Sequence, residues 1–548
     1  MTNQSNLNAT ELSNEDKMAR GSAWLTIGNI GSRLIGIVYI LPWYYWLGEN
    51  AVTANGLFNM SYTVYSIFIM ISTAGLPSAI AKQVAYHNSR KEYKTSQKIF
   101  ERALQLMIVF GVVFAAIMYF AAPALAKGSR GGEDLIPSMR SLSLAILVIP
   151  FMSVIRGYFQ GIQDVGPYAI SQLVEQFVRV IYILGATFVV MKLGSGDYVT
   201  AVTQSTLAAF IGAIASVLVL LYYFRKEKVK MDVLAEVSTE TVEIDTVHLL
   251  LSTVKEAVPF IILGSGITIY KLADQFTFAR TMQTFTQYSE KQLVGFLTLF
   301  SGNPDKLTMI VIGLATAMAS VGLPLITEAF AKNNREELAK LISNHLQLYA
   351  FIMVPASLGM ALLAYPLNTL VYSPDRLGSN LLIVVCLSGL VLGLFMVTST
   401  MLQGMYENKA AITFFVIGFV VKLLTQTMSI HMLESYGPLL STVLGMGVTC
   451  YLNLRKLHKK TNFNTKFIIK RVSLIVLMTV IMMIFAGVTK AILGIFLSVD
   501  RKGQSFVLIL IVALVGVAVY LYMGLKTRLA DKLLGSKMAS LREKLHIK

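Results

Sequence analysis

Apolar runs of about 20 residues, the length a helix needs to cross some 30 Å of hydrocarbon, follow one another along nearly the whole chain with short polar breaks between them. The pattern predicts about fourteen transmembrane helices. Six fall near residues 23–47, 56–81, 103–125, 136–155, 167–191 and 199–224. Six more fall near 248–280, 306–331, 341–367, 380–403, 410–432 and 438–454, and a final pair near 467–496 and 505–523. The expected fold is therefore an all-α integral membrane protein.

Local chemistry sets the ends of these spans. Span one runs through Pro42 into Trp43, Tyr44, Tyr45 and Trp46, amphipathic rings of the kind that sit at a membrane interface. Span two closes on Gly75-Leu76-Pro77 and leads into a loop carrying Lys82, Arg90, Lys91, Lys94, Lys98 and Arg102. Span six ends in Arg225, Lys226, Lys228 and Lys230, followed by a stretch to Asp245 that reads as a solvated linker. The resulting organisation is a tail over 1–22, an N-lobe over 23–224, a linker over 225–247, a C-lobe over 248–456, the terminal helix pair over 457–527 and a second tail over 528–548. The polar and aromatic segment from Thr281 to Asp305 is the longest external break, expected on the outer surface or as a gate.

Composition agrees with the pattern: of 548 residues 55% are hydrophobic and only 14% charged, and mean hydropathy is +0.64. The net charge of +17 could suggest nucleic acid, but most of the 47 basic residues lie in alternate loops. That is the positive-inside distribution, so both ends are expected in the cytoplasm of a multi-pass plasma-membrane protein and no nucleic-acid partner is implied. The polar stretch 1–22 precedes a full-length first span, so no cleaved leader is expected. Cys386 and Cys450 both fall within spans and read as small core residues.

The two halves resemble each other at an offset of roughly 245 residues, which suggests six-helix repeats related by an axis along the membrane normal, with substrate bound between them. Gly75-Leu76-Pro77 returns as Gly322-Leu323-Pro324, and Gln160-Gly161 with Asp164 returns as Gln403-Gly404 with Glu407. Arg179 then aligns with Lys422.

Charges within the spans are the candidate chemistry, because a cation at bilayer depth costs about 2.5 to 3.5 kcal/mol on insertion scales and usually faces a wet interior. Arg33 has no acid within helical reach, and Lys422 resembles it in lacking an acid on its own helix. Lys271 with Asp274 and Glu175 with Arg179 are spaced as same-face pairs, and Gln172 and Gln176 extend the second into a polar stripe. A structural ion pair is the simpler reading of both, and snorkelling towards an interface that of Lys271 and Lys422. The sum of Arg33, Arg179, Lys271 and Lys422 against Glu175 and Asp274 is positive, which suits a phosphate or pyrophosphate. A carrier of cationic drugs would need the reverse sign. No catalytic constellation or nucleotide loop stands out, so a transporter rather than an enzyme is expected, without a cofactor.

About fourteen helices in two lobes plus a terminal pair, Ser32-Arg33-Leu34-Ile35-Gly36 in the first span, Gly75-Leu76-Pro77 closing the second and Gly157-Tyr-Phe-Gln-Gly161 before the fifth together resemble the MurJ-like branch of the multidrug/oligosaccharidyl-lipid/polysaccharide (MOP) exporter superfamily. The resemblance is strongest to its YtgP and stage V sporulation protein B group and spans essentially the whole chain. It implies flipping of lipid II, an undecaprenyl-pyrophosphate-linked precursor of peptidoglycan and the cell wall, from the inner to the outer leaflet by alternating access. Arg33 matches the family's first-helix arginine, and Asp305-Lys306 corresponds to the Asp-Arg pair that opens its eighth helix. Tyr39 stands where the family often has a second arginine, and the second span lacks the family's arginines. The expected substrate ligands are Arg33, Lys271, Arg179, Lys422 and Lys306, with Asp274 and Glu175 as sites for a coupling monovalent cation; the driving force is an ion gradient or the membrane potential. The terminal pair is expected to carry the lipid-tail groove. Alternative readings are a flippase for another undecaprenyl-linked glycan, a drug/cation antiporter, and a scaffold of wall synthesis that transports nothing.

Overall fold

Uninterrupted runs of Leu, Ile, Val, Ala and Met can bury backbone in lipid only as helices, which satisfy every N–H and C=O internally. The computed structural model describes residues 35–36, 39–73, 76–236, 238, 258–534 and 536–546, and among these no strand occurs. Ten described stretches are helical, long and apolar enough to cross a bilayer. They carry expected spans three to six and eight to fourteen, with Asn408–Thr461 holding both eleven and twelve. Spans one, two and seven include residues outside the described set.

The chain divides into two compact units, Met1–Lys127 with Gly132–Ile261, and Gly128–Gly131 with Ile262–Lys548. The first contains α1 (Ile40–Leu47), α2 (Ala51–Thr73), α3 (Leu76–Ser89), α4 (Tyr93–Gly128), α5 (Leu135–Gly161), α6 (Gly166–Phe188) and α7 (Tyr198–Glu236). Small residues let these helices approach closely, as expected where lipid leaves no hydrophobic drive between helices. A Cβ at Gly157 would stand 2.4 Å from the Pro77 carbonyl oxygen, and one at Gly212 2.7 Å from that of Glu175. Phe100, Tyr158 and Phe224 form an aromatic core where α4, α5 and α7 meet.

The second unit contains α8 (Gly266–Met282), α9 (Glu290–Leu297), α10 (Asn303–Ala331), α11 (Arg335–Leu362), α12 (Ala364–Val371), α13 (Arg376–Gly404), α14 (Asn408–Leu433) and α15 (Gly437–Thr461), then the terminal α16 (Thr465–Phe496) and α17 (Lys502–Lys526) with short α18 (Leu529–Leu534) and α19 (Ser536–Lys544). Gly418 and Gly445 set the crossing of α14 and α15: a Cβ on either would come within 2.5 Å of the other's carbonyl oxygen.

The internal likeness reappears in backbone geometry. Four helices end on the same turn, with a left-handed residue and paired bonds back into the last turn. After α3 Lys91 has φ 61°, and the Glu92 N–H donates to the His87 carbonyl. After α10 Asn333 has φ 54°, and Asn334 N–H donates to Ala329. Gln163 (φ 61°) closes α5 with Asp164 N–H bonded to Phe159, and Tyr406 (φ 57°) closes α13 with Glu407 N–H bonded to Leu402. The Gln-Gly motifs lie at these turns because Gly161 and Gly404 let α5 and α13 press against α3 and α10.

Three local expectations change. The aromatic cluster after Pro42 is not a uniform interfacial belt: Trp43 and Tyr44 are buried, with Trp43 Nε1 donating to Ser205 Oγ at 2.9 Å, while Tyr45 faces out. Successive helical residues lie about 100° apart, which puts Trp43, Tyr44 and Leu47 on the buried face and Tyr45 off it. The stretch after Phe224, expected as linker, continues α7 to Glu236, since it lacks Gly and Pro and carries a Glu227–Lys230 pair one turn apart. Much of the expected loop from Thr281 to Asp305 is helical: Ser289 and Gln292 form a capping box that starts α9, which runs through Thr298–Gly302 into α10.

Candidate functional site

In the first unit the polar stripe on α6 is the centre of a three-residue ion cluster. Glu175 and Arg179, one turn apart, pair through Oε1 and Nη2 at 2.8 Å. Arg156, from the last turns of α5, places Nη2 2.9 Å from Glu175 Oε2. Ser171 and Ser216 hold that second guanidinium, accepting at 3.0 and 2.9 Å. One carboxylate therefore faces two arginines, leaving a net positive charge inside the helix layer. Among the described residues the buried Nε of Arg179 has no hydrogen-bond partner, so its fork retains a donor for an anion. Gln172 and Gln176 flank the cluster on the same helix, and a Cβ on Gly36 would come within 2.9 Å of Gln176 Nε2. That packing brings the described end of the Ser32-Arg33-Leu34-Ile35-Gly36 motif against α6; Arg33 itself lies outside the described residues.

Arg156 was missed from sequence because it sits beside the Gly-Tyr-Phe-Gln-Gly break, where a cation reads as loop charge. The α5 helix continues past it to Gly161 and carries it inward.

The second unit pairs its charges differently from the spacing expectation. Lys271 and Asp274 share α8, but Lys271 bonds Asp305 in the first turn of α10. Asp274 Oδ1 instead accepts from Lys422 Nζ of α14 at 2.6 Å and from Gln426 Nε2 at 2.8 Å. Lys422 is fully buried and also donates to Thr442 Oγ1 of α15 at 2.7 Å, with the Tyr270 ring 5.3 Å from its ammonium. Ser441 completes the network by donating to Gln426 Oε1. Lys422 is thus not the lone cation that its own helix suggests. Spacing cannot show this, because its acid arrives from a helix 148 residues earlier. The two lysines are matched by two aspartates, so the expected positive excess is absent from this group and resides in the first unit's Arg156 and Arg179. Lys306 lies half-buried beside Asp305.

A cavity of about 50 Å³ touches both lysine–aspartate pairs and is lined by Lys271, Asp274, Asp305, Ser301, Thr308 and Thr442. It has room for a water with several polar partners. Asp305 is 30% exposed and Asp274 9%, so the cavity connects an accessible carboxylate with a buried one. Among the described residues no group of three or more His, Cys, Asp or Glu could hold a metal ion. Cys386 and Cys450 are buried free thiols.

A family model described as polysaccharide biosynthesis protein matches residues 18–330. The chain is 34% identical over 536 residues to the Bacillus subtilis (strain 168) protein named lipid II flippase MurJ, covering 95% of this chain and 97% of that one. It is 28% identical to stage V sporulation protein B of the same organism over 209 residues, 38% of this chain and 39% of that relative. Among solved structures it superposes on lipid II flippase MurJ in an inward closed conformation with a TM-score of 0.65 at 13% identity, covering 93% and 99% of the two chains. An inward-facing MATE family transporter of the MOP superfamily follows with a TM-score of 0.60 at 16% identity, covering 81% and 98%. Three of these four carry the name of a flippase or a transporter. Near full-length identity and a shared helical architecture agree, and the chain is a multi-pass membrane protein that belongs to the polysaccharide biosynthesis protein family, in the branch of the Bacillus subtilis MurJ protein.

Proposed function

We propose that this protein flips lipid II, the undecaprenyl-pyrophosphate-linked peptidoglycan precursor, from the inner to the outer leaflet of the bacterial plasma membrane by alternating access, with both termini in the cytoplasm. The observation that carries the reading is the 34% identity to the flippase across 97% of that relative's length. The site chemistry supports it. A pyrophosphate crossing hydrocarbon must exchange its hydration for fixed donors, and the Arg156–Glu175–Arg179 cluster offers two guanidinium forks against one carboxylate.

In this reading Arg33, Arg156 and Arg179 contact the headgroup phosphates, assisted by Lys271 and Lys306. Lys422 is the counter-ion of Asp274 instead of a headgroup ligand, because its ammonium is buried and fully engaged. Asp274 and Asp305, joined by the small cavity, serve as the coupling-ion route, with Glu175 linking the charge state of the arginine cluster to the same gradient. A proton is the ion that fits best: the Lys422 ammonium 2.6 Å from Asp274 Oδ1 repels an alkali cation at that carboxylate, whereas a proton neutralises it in place. The terminal α16 and α17 form the lipid-tail groove.

The family description and the likeness to stage V sporulation protein B support a second reading, a flippase for another undecaprenyl-linked glycan. Depleting the protein in its native cell while measuring lipid II accessible at the outer face separates the two. Wild type, Arg33→Ala, Arg33→Lys and Arg179→Gln are supplied in trans at matched membrane levels. Lipid II trapped inside and released only by wild type and Arg33→Lys supports the flippase reading with a point charge at Arg33; failure of Arg33→Lys as well indicates bidentate recognition. Unchanged export on depletion rejects lipid II as substrate and turns the assay to other glycans. A scaffold would tolerate all three substitutions.

A further inference from the structure

The outer end of the terminal helix pair, to which the transport reading assigns only a lipid tail, holds a cavity faced by two cations. It lies within the second unit, between the last turns of α16, the segment 497–501 and the start of α17, and has a volume of about 860 Å³. Its wall on α16 is made of Gly487, Ala491 and Gly494 at helical spacing, with Lys490 among them. A Cβ on Gly487 or Gly494 would meet nothing within 4 Å, so these positions are open space and not helix contacts.

Two cations face this volume. Lys490 donates to the Leu362 carbonyl at 2.6 Å, capping the C-terminal end of α11 and leaving two of its three N–H donors to spare. No carboxylate lies within ion-pair distance of it or of Arg501 among the described residues. Asp500, the neighbouring acid, accepts instead from the Tyr365 hydroxyl at 2.6 Å, and Gln504 accepts from the Ser498 backbone N–H. The rim is apolar, with Ile495 and Phe496 more than three-quarters exposed. Lys490 sits about 9 Å from the end of α16 at 1.5 Å per residue, the depth at which lipid headgroups meet acyl chains.

An amphipathic site with cationic walls and an apolar rim selects a ligand of the same form. We propose that this cavity binds the phosphate-bearing headgroup of a lipid, with Lys490 and Arg501 on the phosphate, the α16 glycines admitting it and the acyl chains lying along Ile492, Ile495 and Phe496. The orientation read from the basic loops places it in the outer leaflet. The proposal does not rest on lipid II transport, since any phospholipid or lipid-linked phosphate carries this chemistry.

Native mass spectrometry of the full chain released from detergent, titrated with dioleoyl phosphatidic acid and with dioleoylglycerol, tests it. Wild type is expected to prefer the phosphatidic acid, and Lys490→Met with Arg501→Gln to lose about tenfold of that preference. Arg501→Gln alone, at an exposed position that cannot unfold the protein, is expected to lose part of it. Gly494→Leu narrows the cavity at its α16 wall and is expected to weaken binding of both lipids. The proposal is overturned if the variants keep the wild-type preference, or if Gly494→Leu changes nothing. It is equally overturned if millimolar inorganic phosphate displaces the phosphatidic acid, which would make the cavity a soluble-anion site. The readout is binding, so failure here leaves the transport reading untouched.

Discussion

The buried Lys422–Asp274 pair allows a quantitative test of how the second unit is held together. Lys422 Nζ has two oxygen partners, Asp274 Oδ1 at 2.6 Å and Thr442 Oγ1 at 2.7 Å, and no exposure to solvent. Replacing Lys422 by Met leaves Asp274 Oδ1 with only Gln426 Nε2 at 2.8 Å, and replacing Asp274 by Asn leaves the ammonium without its counter-ion. Removing one partner of a buried pair typically costs about 3–5 kcal/mol, because the other charge stays desolvated, whereas replacing both by neutral groups of similar shape is close to neutral. Lys422→Met and Asp274→Asn are therefore each expected to destabilise by about 3–5 kcal/mol, and the double variant by roughly 2 kcal/mol or less. The coupling energy of the cycle is then at least about 4 kcal/mol, far above the few tenths expected for independent sites. At about 2 °C per kcal/mol for a unit of this size, each single variant should lower the apparent melting temperature by roughly 6–10 °C and the double variant should recover most of it. The assay is intrinsic-fluorescence melting of purified protein in one detergent at one scan rate, since unfolding of a large membrane protein is apt to be irreversible. Additive single effects would refute the reasoning, because they would mean that the two charges do not compensate each other. The same double variant should be transport-dead while well folded if Asp274 carries the coupling proton.

In the first unit Arg156→Gln is expected to reduce complementation of a depleted strain about ten- to a hundredfold, the loss of a charge-assisted contact of 1.5–3 kcal/mol, at unchanged membrane level; equal activity would remove Arg156 from the site. Gly157→Leu should prevent assembly, since even a Cβ there stands 2.4 Å from the Pro77 carbonyl oxygen, whereas Gly487→Ala should be tolerated; membrane yield reports both. Outside the membrane, the hydrogen bond from Lys460 outweighs the desolvation of Glu407 and, with that from Lys456, holds its carboxyl below its ordinary range. A folded value below the unfolded one means that its contribution is complete above the unfolded value near pH 4.3 and is lost as pH falls through the lower folded value. Glu407→Gln should therefore flatten the melting temperature against pH only below about pH 4.3, and an equal change at neutral pH in slope would contradict the assignment.

Much of this protein was legible before any coordinates. Hydropathy is a local sum over one helix, and a chain in lipid must satisfy its backbone within each helix, so the spans and the all-helical architecture follow from composition along the chain. The Gln-Gly landmarks, repeated at one offset, marked helix ends that share one left-handed turn in both units, whereas Leu76-Pro77 open α3 and Gly322-Leu323-Pro324 lie inside α10. The Glu175–Arg179 contact was legible for the same reason, being four residues apart on one helix. What needed tertiary structure is every contact made across helices. Asp274 and Lys422 are 148 residues apart, and Lys271 and Asp305 lie on different helices, so pairing by spacing matched Lys271 with the wrong carboxylate. Arg156 looked like loop charge until α5 carried it against α6, and the Lys490–Arg501 cavity exists only because α16, α17 and the end of α11 converge. A sequence records which charges must be compensated in a membrane; packing decides which partner does it.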